Sequence, residues 1–241
     1  MKRGNEELMT RTSGLPTNLP RAVRKCQAVR AMTYAKITLS MLALAMNFAA
    51  GCGASRPSNY YQLTVPGDLV PAANSVPVPI TLLIGRLTGP ALYSADQIVY
   101  STGSESMGLY EYQRWAEPPT QMISEVLLRQ LRASGHFRGV YMLRSDIRGE
   151  FLLTGRLYDF KEVSGATLVG RVTMEMELRN IKTGISVWSH FYTHDEPVTE
   201  KKVGAVVAAL DKNVQQAIAE FRSSLDQYFA EHPPAPPTTA P

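Results

Sequence analysis

Apolar residues recur along the chain with two periods, and the change from one to the other marks the predicted elements. Residues 60–65 (Tyr-Tyr-Gln-Leu-Thr-Val) are aromatic and β-branched and predict a first strand. Residues 66–79 hold four prolines and predict a loop. Residues 80–87 are almost continuously apolar, the pattern of a strand buried on both faces, and Gly89-Pro90 ends it. Residues 97–102 and 109–115 predict a hairpin around Gly103 and Gly108. Pro118 and Pro119 suit a helix entry, where a missing N–H costs nothing. Met122, Ile123, Val126, Leu127 and Leu131 then give one apolar face, and Gly135 is the expected stop.

Residues 140–143, 151–163 and 168–179 predict three more strands. The last alternates most cleanly. Leu168, Val172, Met174, Met176 and Leu178 share one face with Gly170 in phase, while Arg171, Thr173, Glu175, Glu177 and Arg179 take the other. That is a sheet with one wet side. Residues 180–184 form a turn, and 185–194 return as a hairpin partner. A long helix is expected from about Thr199 to Phe229. Its stripe of Val203, Val207, Leu210, Val214, Ala217, Phe221, Leu225 and Tyr228 steps by 4-3-4-3-4-4-3. At roughly 1.5–3 kcal/mol per large buried side chain, the stripe contributes on the order of 10 kcal/mol before entropy is subtracted. The apolar face of 168–178 is the expected partner; the near-heptad spacing also permits a contact with a second copy. The elements together predict one α+β domain, a mostly antiparallel sheet packed by two amphipathic helices.

The N-terminus has a different pattern. Residues 37–48 form an apolar run behind Lys36, followed by Ala49, Ala50, Gly51 and Cys52. A positive region, a short apolar run and small residues make a secretory signal. The run is about a dozen residues, short of the roughly 20 a membrane span needs. Ala49-Ala50-Gly51-Cys52 resembles the lipobox of bacterial lipoproteins, with Ala49 where that motif most often has Leu. An ordinary signal with an incidental cysteine, or an uncleaved anchor, are the alternatives. By the resemblance, Cys52 carries three acyl chains such as palmitate, and several chains anchor where one holds only marginally. Gly53 leans toward outer-membrane sorting. Met32 would begin a compact signal, so translation is expected to start there, with residues 1–31 outside the natural product. Cys26 in that stretch has no assigned role.

Charge sharpens this division. Residues 1–51 hold eight Lys/Arg against two acids, a balance of +6, within a whole-chain net charge of +4. The remainder has 17 Lys/Arg against 19 acids, a balance of −2. A nucleic-acid reading needs a basic face on the folded part, so it is set aside. Two cysteines exclude a disulfide scaffold and a four-Cys zinc site. His190 and His194 lie about 13 Å apart along a predicted strand, too far for simple chelation. No G-x-S-x-G is present, and residues 165–170 lack the Gly-Lys-Ser/Thr end of a phosphate loop. No catalytic, metal or cofactor site is expected.

Five features carry a further resemblance. A lipobox cysteine is followed closely by Tyr60-Tyr61-Gln62-Leu63. Then come Tyr93-Ser-Ala-Asp96-Gln97-Ile98-Val99-Tyr100 and Tyr112-Gln-Arg114-Trp115-Ala116-Glu117-Pro118-Pro119. A later hairpin carries Asn180-x-Lys-Thr-Gly184 and Trp188, and an amphipathic helix closes the domain. In order and spacing these resemble the ABC-type transport auxiliary lipoproteins, the PqiC-like family, over about residues 59–230. With the residue pattern, which gives a signal region at 1–51 and an unstructured Pro-rich tail at 232–241, the resemblance implies a lipidated tether at 52–58 and the auxiliary domain at 59–231. It implies an anchor in the outer membrane, a domain facing the periplasm, and as partner an MCE-type lipid transport protein with its permease and ATPase. It implies binding rather than catalysis. A purely structural or assembly role in the envelope and a secreted enzyme of unknown class are the remaining readings, and homo-oligomerisation is left open among the partners.

Among the motif residues, Tyr61, Leu63, Arg114, Trp115 and Pro118 are expected to be structural. Trp115 should fill the core beside the helix, and Arg114 should pair with an acid such as Glu117; the functional alternative has Trp115 on a partner and Arg114 on a lipid phosphate. Tyr60, Tyr61, Tyr93 and Tyr100 are either ordinary strand tyrosines or an aromatic rim near a bilayer. The Gly/Ser-rich loops between Gly89 and Tyr110 are the expected partner contact.

Overall fold

The computed structural model describes residues 56–65, 77–103, 105–143 and 146–234, with a few helical leader positions at 32, 36–38 and 40–41. The chain divides by its contacts into Met1–Ser55 and Arg56–Pro241, and the sheet belongs to the second unit. Cys52, most of the signal region, most of the 66–79 loop and the tail beyond Pro234 lie outside the described residues. Eight strands form one sheet: β1 (Asn59–Tyr61), β2 (Val78–Thr88), β3 (Gln97–Ser101), β4 (Met107–Trp115), β5 (Phe137–Met142), β6 (Phe151–Ser164), β7 (Leu168–Asn180) and β8 (Ser186–Pro197). Two helices cover one face, α1 (Pro119–Ala133) and α2 (Val203–Glu231).

β6 is the spine. One edge pairs with β7, antiparallel from Phe151↔Asn180 to Ser164↔Leu168, and β8 adds to β7 in the same sense. The other edge is shared. Its first half pairs with β2, parallel, and its end pairs with β3, also parallel. The sheet therefore forks: β2 carries β5, and β3 carries β4 and then β1. The pairing register of β6 with β7 shifts between Leu157 and Asp159. That bulge falls where β2 has ended, at Arg156, and β3 has not begun, at Glu162. A bulge adds bend and twist, which suits a strand that changes neighbours. The long ladders are antiparallel, as the alternation predicts. The four parallel ladders, β1–β4, β2–β5, β2–β6 and β3–β6, were not foreseen.

β7 keeps the predicted faces: Val172, Met174, Met176 and Leu178 are buried under α2. On α2 the buried set includes Val207, Leu210, Val214, Ala217, Phe221 and Leu225, and it ends on Phe229 rather than the expected Tyr228. A 3.6-residue helix drifts against a seven-residue repeat, and one step of four beyond Leu225 brings Phe229 inward. Phe229 meets Phe137 and Phe151 edge-on, at centroid distances of 5.6 and 5.4 Å. The stripe is spent inside the domain, so the alternative helix contact with a second copy has no stripe left. α2 also starts later than expected, at Val203, because the chain at 199–202 is bent and Lys202 is still extended.

Other boundaries shift for physical reasons. β1 stops at Tyr61 because the chain then leaves the sheet for α2: Thr64 N–H donates to Asp211 Oδ1 (3.0 Å), and Gln215 Nε2 donates to the Thr64 carbonyl (2.8 Å). β5 begins at Phe137, before the predicted 140, since Phe137 already pairs with Val78. Gly135 has φ +63° and ends α1 as expected. β2 is buried on both faces through Leu82, Leu83 and Ile84, the chain at Gly149 passing directly over Leu83.

One buried polar residue ties helix to sheet. Asn213 is fully buried in the middle of the α2 stripe. Its Nδ2 donates to the carbonyls of Gly170 (3.0 Å) and His194 (2.8 Å), and its Oδ1 accepts from the Tyr192 hydroxyl. Gly170 makes room for this approach: a Cβ there would lie 3.2 Å from Leu210 Cγ. A second tie is the ion pair of Lys212 with Glu196, a carboxylate only 11% exposed, whose pKa falls below its ordinary value chiefly through the Lys212 hydrogen bond.

Asn213→Leu strands two carbonyls at about 1–3 kcal/mol each, while the Tyr192 hydroxyl keeps the backbone carbonyl of residue 213 at 3.2 Å, so a loss of about 2 kcal/mol or more is expected. Tyr192→Phe removes less and should cost about 1 kcal/mol. Urea midpoints at constant slope measure both; a wild-type midpoint for Asn213→Leu contradicts the tie. The Glu196 pair stabilises the fold fully above the ordinary glutamate value of about 4.5, and that stability is lost as pH falls through the lower folded value. Lys212→Met should flatten the acid limb of a stability–pH curve measured between pH values of about 5 and 3.

Candidate functional site

The motif residues converge at the β3–β4 hairpin. Arg114 sits opposite Gln97 in the register, next to Asp96, and its Nη1 donates to Asp96 Oδ1 at 2.9 Å. The expected pairing with Glu117 is therefore corrected: Glu117 lies past Trp115 in the turn to α1, where it lines a small cleft with Gln62, Val65 and Met122. Asp96 also accepts the Trp115 N–H on its backbone carbonyl. Trp115 is 1% exposed, its ring tilted against Phe160 at 5.2 Å. Pro118 caps α1 and its carbonyl accepts from Gln121 and Met122. β1 runs beside the same segment, with Tyr61 opposite Trp115 and the Tyr61 hydroxyl donating to Gln113 Oε1 at 2.9 Å. Leu63 is buried in the core. These five residues build a junction of strand, strand and helix.

The four tyrosines do not form a rim. Tyr93 is buried, and burial first, with Asp159 adding to it, pushes its hydroxyl up to about 12. Tyr100 stacks tilted on Tyr110, at 5.0 Å. Tyr60 alone is widely exposed. The 180–184 motif is a turn in which Asn180 Oδ1 accepts the Lys182 and Thr183 N–H groups. Trp188 donates its indole N–H to Ser224 of α2 at 3.0 Å.

The sheet has two unlike ends. At one, Met107, Ser101, Val163, Val169 and Pro197 lie in a row across five strands. Beside that row a cleft of about 460 Å³ opens between β4, the β6–β7 turn and the start of α2. Its base holds Glu162, a nearly buried acid that alternation alone did not single out. Glu162 accepts from the Tyr110 hydroxyl (2.8 Å) and the Ser164 hydroxyl (2.9 Å). Burial, and then this carboxylate, push Tyr110 upward. Lys201 and Lys202 stand exposed at the rim, and Met107 and Leu109 are exposed nearby. At the other end the β7–β8 turn presents Ile181 and Ile185.

On the wet face Arg171 grips Asp195 with two bonds of 2.7 Å, which holds the Asp195 carboxyl below its usual range. His190 stacks on Trp188, while His194 lies 3.5 Å from Glu196, so the two histidines serve different neighbours. Among the described residues no group of three or more His, Cys, Asp and Glu is placed to hold a metal ion. No helix among them is long and apolar enough to cross a membrane. What the arrangement offers chemically is surface: two ends, a wet face and a structural junction.

Comparison with solved structures shows the fold. A protein from Xanthomonas campestris superposes with a TM-score of 0.64 at 18% identity, over 72% of this chain and 98% of that one. A second crystal structure, of an uncharacterised protein, gives a TM-score of 0.57 at 14% identity, over 70% of this chain and 99% of that one. Comparison with curated proteins gives no match. The model of one family, the ABC-type transport auxiliary lipoprotein component, matches residues 61–221. That span takes in β1's end, both arms of the fork and most of α2, and it places this chain in the ABC-type transport auxiliary lipoprotein family.

Proposed function

We propose that the protein is acylated on Cys52, held on the outer membrane with its domain in the periplasm, and acts as the docking component of an MCE-type lipid transport system. Its partners are the MCE protein and the associated permease and ATPase. The observation that carries this reading is the cysteine behind Ala49-Ala50-Gly51, nine residues ahead of the span that matches a transport auxiliary lipoprotein family.

A lipid tail exposed to water is unfavourable in proportion to its apolar area. A transport path between two membranes must therefore be closed along its length, and its far end needs a fixed point. Several acyl chains on one sulfur supply that fixed point. The domain supplies rigidity: its buried polar residues, Asn213, Glu162 and Ser124, hold elements together through hydrogen bonds. Binding and assembly need no further chemistry from this chain.

Growth with radioactive palmitate tests the anchor. The wild-type protein should be labelled and sediment with outer membranes, and Cys52→Ser should be unlabelled and soluble. A wild-type product without label contradicts the reading. Crosslinking in intact cells, with neighbours identified by mass spectrometry, should recover an MCE-type protein; recovery of envelope-assembly proteins alone contradicts the transport role.

A further inference from the structure

We propose that the end of the sheet formed by Met107, Ser101, Val163, Val169 and Pro197 rests on the phospholipid headgroup layer, with Met107, Leu109, Lys201 and Lys202 as its contact. This deepens the function proposed above and rests on acylation of Cys52.

β1 runs parallel to β4, so the chain ahead of Asn59 points toward the end where β4 begins, at Met107. Asn59 lies opposite Gln113. From Gln113 to Met107 is six residues of strand, about 20 Å. From Asn59 to Cys52 is seven residues, which span at most about 25 Å when fully extended. The acyl chains hold the sulfur at the headgroup layer. Even a straight tether therefore leaves the Met107 end within about 5 Å of that layer while the domain hangs along its strand axis.

The surface at that end suits the contact. Met107 is 51% exposed and Leu109 37% exposed, and both stand on the wet face where no helix covers them. Lys201 and Lys202 line the cleft with Gly165 and Ala166 of the β6–β7 turn at this end, on the face that α2 covers. Lys202 also pairs with Glu200 at 2.8 Å. An end with apolar side chains on one face and lysines on the other has the composition of a surface that settles at a headgroup boundary. The turn between β3 and β4, expected from the sequence to meet a partner, stands at this same end. The β7–β8 turn, with Ile181 and Ile185, lies at the opposite end of β6, about 40 Å away along the strand.

The test uses the mature protein extracted from membranes and reconstituted in vesicles of phosphatidylethanolamine and phosphatidylglycerol that contain a doxyl-labelled phospholipid. Cys52 is the one cysteine from residue 52 onward, and its acylated sulfur does not react with thiol reagents. Met107→Cys, Ile185→Cys and Tyr60→Cys each carry a fluorescent label. Quenching at position 107 should exceed that at 185 and at 60 by at least twofold. Equal quenching at 107 and 185, or stronger quenching at 185, overturns the orientation. Stronger quenching at 60 than at 107 also overturns it, by placing the β1 edge on the bilayer. Protein that washes off the vesicles with an unmodified N-terminus refutes the acylation itself. Protein that stays on, with position 107 unquenched, refutes only the orientation.

Discussion

The hydrogen-bonding edges of β6 constrain everything around them. A buried strand must satisfy its N–H and C=O groups along both edges, and β6 has fourteen residues to satisfy. One edge is met by a single long partner, β7. The other is met by two partners in turn, β2 and β3, which diverge at the Leu157–Asp159 bulge. The fork fixes the places of β4 and β1, and so the direction from which the N-terminal tether arrives. Fold and proposed orientation on the membrane are consequences of the same pairing.

Packing follows from that sheet. Its apolar face is continuous across both arms, and α1 and α2 cover it. α2 is seated by shape, through the close approach at Gly170, and by polar matching, through Asn213 and the Trp188–Ser224 bond. A buried Asn with every donor and acceptor used fixes the position of a helix that apolar contacts alone would leave able to slide.

The parts legible in the sequence are those with a local signal. The strict alternation of 168–179 placed the wet face, and the stripe from Val207 to Leu225 placed α2 on the opposite one. Trp115 in the core and Gly135 at the end of α1 were legible for the same reason. Parallel pairing left no such trace, because β2, β3 and β6 are far apart in the chain and any of them reads the same with either neighbour. Arg114 shows the limit at the level of one residue. Glu117 is three positions away and was the natural partner on paper, but a strand register brings Asp96, eighteen positions away, within 2.9 Å. The Tyr110–Glu162 pair was missed because a single acid in a strand reads as solvent-facing until its neighbours are known. The family motifs mark a junction in the fold. The proposed anchor rests on a signal outside it, the four residues ending at Cys52.

That sulfur is the central claim, and intact mass of the mature protein extracted from membranes tests it most directly. The account predicts a chain beginning at Cys52 that carries the added mass of a diacylglyceryl group and an N-linked acyl chain. A chain of unmodified mass, or one that retains residues ahead of Cys52, would contradict it.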